Sequence, residues 1–165
     1  MSHIATVTVQ VKDLKALASA CERLGLEFIE GQTTFKWFGQ WVGDYNGDDA
    51  AFKELGIDPK TYGTCIHAIR VKGAADHVYE IGVIKHPNRD GYALLWDFWN
   101  GGCGLMKHVA AQDDKKKKGI GKLMQMYGLE AAKRSLAKQG MTCVEKVLEN
   151  GAIKLVANVM SKLKR

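Results

Sequence analysis

The sequence has no CxxC pair, no HxxxH or HxH spacing, no GxxxxGK[ST] loop, and no apolar run near the roughly 18 to 20 residues that span a bilayer. The first two absences remove a nucleus for a tetrahedral metal site: the four cysteines stand 44, 38 and 40 residues apart, and His3, His67, His77, His86 and His108 are as dispersed. The third removes a Walker-type phosphate loop, and "GIG" at 119–121 is too little for a dinucleotide loop, so no metal and no cofactor are expected. The fourth, with an opening "MSHIATVTVQV" that has neither a basic leader nor a long apolar segment, points to a cytoplasmic protein without membrane contact and with free thiols. No zinc-finger spacing and no RNP aromatic signature occurs, so sequence-specific nucleic-acid recognition is not indicated.

What is present suits one folded domain over 1–165: 46% of the residues are hydrophobic and 25% charged. Charge is divided unevenly along the chain. Residues 1–100 hold 10 Lys or Arg against 13 Asp or Glu, whereas residues 101–165 hold 14 against 5. A basic C-terminal part attracts nucleic acid, an acidic protein or another anionic surface, and it also serves solubility.

"ATVTVQV" alternates Ala5, Val7, Val9 and Val11 against Thr6, Thr8 and Gln10, the pattern of a half-buried strand. Asp13 is placed to cap a helix through "LKALASACERLG", stopped by Gly25, and "LEFIE" is the next strand. "TCIHAIRVKG", "VYEIGVIKH" and "GYALLWDFW" read as three further strands, the last two joined through "PNRDG". A long helix fits "IGKLMQMYGLEAAKRSLAKQG", and Asn150-Gly151 marks a hairpin. The fold expected is therefore α+β, a mainly antiparallel sheet with two principal helices, ferredoxin-like in part. Two irregular stretches, approximately 31–64 with a short helix over Asp49 to Leu55, and 100–118, are read as insertion loops.

The opening "MSHIATVTVQVKDLKAL", the strand "YALLWDFW" and the closing "GIGKLMQMYGLEAAKRSLAKQGMTCVEKVLENGAIKLVANV" resemble a conserved family of small proteins of unknown function, present as a hypothetical reading frame of plastids and cyanobacteria and in phages. The resemblance implies a compact α+β protein and, for a phage-encoded member, the host cytoplasm. It brings no established reaction or catalytic residue. "TFKWFGQWVGDYNGDDAAFKELG" and "GGCGLMKHVAAQDDKKKK" depart from the shorter family pattern.

Chemistry-bearing residues concentrate in "DFWNGGCGLMKH". One reading makes Cys103 a nucleophile between two glycines, His108 its base and Asp97 the orienting group, a cysteine-dependent enzyme. The segment lacks any nucleophile-elbow or cysteine-hydrolase signature, and Cys103 serves equally as a small packing group. The leading expectation is a small non-catalytic accessory protein that binds nucleic acid, a ribonucleoprotein or an acidic protein. Its contacts are Trp99 for stacking area and Lys107, Lys115, Lys116, Lys117, Lys118 and Lys122 for anionic complementarity. A structural protein–protein adaptor, with the two insertions docked on a neighbour, is the third reading.

Overall fold

The computed structural model describes residues 4–6, 10–39, 42–45, 50–111 and 119–159. The chain runs β1 (Ile4–Thr6), α1 (Leu14–Arg23), β2 (Leu26–Glu30), α2 (Ala50–Leu55), β3 (His67–Val71), β4 (Ile81–Lys85), β5 (Tyr92–Asp97), α3 (Met106–Val109), α4 (Gly121–Lys138), β6 (Met141–Val147) and β7 (Ile153–Val159). The first five strands form one antiparallel sheet in the order β1-β5-β4-β3-β2, and β6 and β7 form a separate antiparallel pair. This is an α+β architecture. β1 and β2 occupy opposite edges of the five-stranded sheet, so the connection through α1 passes over one face of the sheet.

The Asp13 side chain accepts from the Ala16 N–H at 3.0 Å and satisfies one of the first free amides of α1. The helix then buries Ala16, Leu17, Ala20 and Cys21 against Ile69, Ile81, Val83, Leu94 and Trp96 of the sheet. Leu123 and Tyr127 of α4 complete this core, and the Tyr127 hydroxyl takes the Lys12 N–H at 2.8 Å.

The stretch over 31–64 closes the opposite face of the sheet. Phe35, Trp37, Phe52, Leu55 and Tyr62 pack on Cys65, Ala68 and Leu95 as a second core. Burial on both faces explains why "YALLWD" of β5 shows no polar alternation. Gly82 of β4 is part of this arrangement: a β-carbon there would stand 2.3 Å from Cδ1 of Phe35. Gly82→Ala is expected to destabilise the fold by about 1–3 kcal/mol through overpacking, measured as a shift of the urea midpoint.

The β6–β7 hairpin is tied to the helices by ions. Arg23 holds Glu145 through two bonds of 2.9 Å and Glu130 at 2.7 Å, while Lys133 reaches Glu145 at 2.8 Å. The hydrogen bonds from Arg23 and then Lys133 pull the Glu145 carboxyl from 4.5 down to about 2. A carboxylate depressed by folding stabilises above its unfolded value and loses that contribution as it protonates. Hairpin docking should therefore be intact above pH 4.5 and weaken between pH 4.5 and about 2. Hydrogen exchange of the β6 and β7 amides across that window tests this, and Glu145→Gln should flatten the dependence.

Candidate functional site

β5 ends in Asp97, which is fully buried. Its side chain accepts from the Trp99 N–H at 2.8 Å and the Phe38 N–H at 3.4 Å, so one buried residue sets the backbone under two aromatic residues from distant parts of the chain. The two rings meet with centroids 4.9 Å apart and planes at 55°. Phe38 is 44% exposed and Trp99 37%.

Beyond Trp99 the chain makes a left-handed turn. Asn100, Gly101, Gly102 and Cys103 all have positive φ, at 48°, 63°, 59° and 50°. Glycine takes this conformation without penalty, whereas Asn100 and Cys103 bring a β-carbon close to the following carbonyl. The Gly102 carbonyl holds the turn by accepting from the Tyr79 N–H at 3.1 Å and the Leu105 N–H at 3.2 Å. Strain of this kind persists where surrounding contacts impose it. Asn100→Gly is expected to stabilise the protein by up to about 1 kcal/mol, read from thermal melts.

The turn borders a groove of about 960 Å³ whose walls include Trp37, Phe38, Lys36, His77, Tyr79 and Cys103. Its floor is polar: Glu80 is buried and accepts from the Gln32 amide at 2.8 Å and the Lys36 N–H at 3.0 Å. Lys36 reaches Asp76 at 3.2 Å on the rim. Tyr79 and Cys103 both line the groove; burial first, then the neighbouring Cys103 and Asp97, push the ionisation of the Tyr79 phenol upward.

Of the candidate catalytic residues, Asp97 and Cys103 both neighbour Tyr79, while His108 turns to the end of α1. The His108 Nδ1 lies 3.2 Å from the Leu24 carbonyl at the end of α1; a carbonyl only accepts, so this nitrogen carries the proton and donates. Asp97 is engaged by backbone amides, and the neighbour the fold brings to Cys103 is Tyr79. All four cysteines are free; burial pushes Cys21 and Cys65 up to about 12, and Cys103 is partly exposed. Among the described residues no cluster of His, Cys, Asp or Glu is arranged to hold a metal ion. No described helix is long and apolar enough to cross a membrane.

Of the expected binding residues, Trp99 is exposed in the turn, Lys107 on α3 and Lys122 in the first turn of α4. α3 packs against both the left-handed turn and α4. Lys115, Lys116, Lys117 and Lys118 lie outside the described residues. Tyr79 and Glu80 are additions from the fold, while Phe38 comes from the aromatic-rich "FKWFGQW", whose rings the sequence already offers for stacking. No family model, curated protein or solved structure matches the chain.

Proposed function

We propose that this is a small non-catalytic accessory protein that binds single-stranded nucleic acid, free or within a ribonucleoprotein, through the surface centred on Trp99. One observation carries the reading: among the described Phe, Tyr and Trp residues only Phe38 and Trp99 are exposed, their rings touch each other, and Phe38 lines the groove. Exposed rings offer stacking surface to any base, and buried rings do not. Phosphates belong outside the groove, because Asp76 and Glu80 repel them, and Lys107 and Lys122 supply cations beyond its rim.

The resemblance to the plastid, cyanobacterial and phage family stays part of this proposal, as does the ferredoxin-like kinship of the β1-α1-β2 opening. A second reading, the protein–protein adaptor, is favoured by the exposure of Val144, Val147, Leu148 and Val159 on the hairpin. The cysteine-enzyme reading rests on Cys103 and its strained backbone.

Equilibrium binding of single-stranded RNA, single-stranded DNA and duplex DNA, with an acidic protein as control, tests the proposal across a salt series. Saturable binding of the single strands above the control is expected. Lys107→Gln and Lys122→Gln should each lower the salt slope by about 1 while leaving sequence preference unchanged. Equal binding of the acidic control would move the assignment to the adaptor.

A further inference from the structure

The sheet carries a second polar site at its other end, where β4 turns into β5. His86 N–H donates to the Gly91 carbonyl at 3.0 Å and closes this turn. The segment before α1 lies against it, for Tyr92 N–H donates to the Val11 carbonyl at 2.8 Å and the Gln10 amide to the Asp90 carbonyl. That approach needs Gly91, whose φ is +101° and whose missing β-carbon would stand 2.5 Å from the Val11 oxygen. The contact carries Lys12 to the side of Lys85 and Arg89.

The result is a pocket of about 330 Å³ lined by Lys12, Lys85, His86, Arg89 and Tyr92, with Asp90 its one carboxylate. Three of the four described arginines, Arg23, Arg70 and Arg134, hold carboxylates; Arg89 does not. Lys12 and Lys85 likewise have no ion-pair partner among the described residues. His86 adds a donor: its Nδ1 accepts from the Asn88 N–H at 3.2 Å, which places the ring proton on Nε2. Three cations unpaired among the described residues and an N–H donor around one carboxylate form an under-compensated positive site at the β4–β5 turn.

We propose that this pocket binds a phosphate oxyanion, with Lys85 and Arg89 as its principal ligands, Lys12 and the His86 Nε2–H as supporting donors, and Asp90 limiting the affinity. Forked guanidinium donors and point ammonium charges are the groups that hold tetrahedral oxyanions. The inference is independent of the groove, since the two sites share no lining residue. The shared chemistry is the phosphate group, carried by a free monoester or by the diester backbone of a strand.

Amide chemical shifts of the full chain should be followed during titration with inorganic phosphate, with a nucleoside monophosphate, and with a dinucleotide lacking a terminal phosphate, ionic strength held constant with chloride. Saturable shifts around Lys85 to Tyr92 are expected for at least one of them. A response to the monoesters alone identifies a free phosphate ligand; a response to the dinucleotide identifies the backbone. Lys85→Gln with Arg89→Gln should weaken binding about tenfold or more, and Asp90→Asn should tighten it. Both changes are at exposed positions, so melting curves close to that of the parent verify folding. Shifts that do not saturate with any probe, or that persist unchanged in the double variant, would overturn the proposal.

Discussion

Replacing Phe38 and Trp99 together by alanine is expected to lower affinity for single-stranded RNA about 10- to 100-fold, the worth of one lost base–aromatic stack at about 1–3 kcal/mol. Both rings are exposed and contact each other, so their removal opens little core and stability should change far less than binding. Single variants separate the contributions. Trp99→Phe keeps a stacking face and should retain most affinity, whereas Trp99→Ala should not. Fluorescence anisotropy with a labelled oligonucleotide measures all of them at one salt concentration, because the lysine contribution is salt dependent and the stacking contribution is much less so.

Asp97→Ala acts on the same site from beneath. The buried side chain receives the Trp99 N–H at 2.8 Å, and its removal leaves that amide without its acceptor. An unsatisfied buried donor costs about 1–3 kcal/mol, so the variant should melt lower and also bind single strands less tightly, since Phe38 and Trp99 lose their common anchor. Asp97→Asn keeps an oxygen acceptor and should recover part of both. Loss of stability without any loss of binding would detach Asp97 from the site.

How much of this was legible in the sequence follows from the range of the interactions. α1 is written locally: a capping Asp13, four apolar residues on one face and Gly25 beyond the end. The β6–β7 hairpin is equally local, with Asn150 Oδ1 accepting from the Ala152 N–H at 3.0 Å within the turn that the Asn-Gly pair announces. The stretch over 31–64 is different. Its aromatics have no helical or strand period because they pack on Ala68 of β3 and Leu95 of β5, strands that come later in the chain, and irregular spacing reads as a loop.

The same distinction divides the site. Trp99 stands out beside three glycines, whose conformational freedom signals an abrupt exit from β5, and the left-handed run at 100–103 is that exit. Phe38, Tyr79 and Glu80 reach the groove only through tertiary contacts that no short-range spacing encodes. The proximity of Cys103 and His108 in sequence is the opposite case. Cys103 sits in the left-handed turn and His108 on α3, where His108 faces the end of α1.

The most direct measurement is tryptophan emission during titration of the parent protein and Trp99→Phe, in parallel, with single-stranded RNA. Stacking on the exposed indole predicts saturable quenching in the parent, and loss of most of that quenching in the variant with affinity largely kept. Equal quenching in both proteins, or no saturable change in either, would contradict a nucleic-acid surface centred on Trp99.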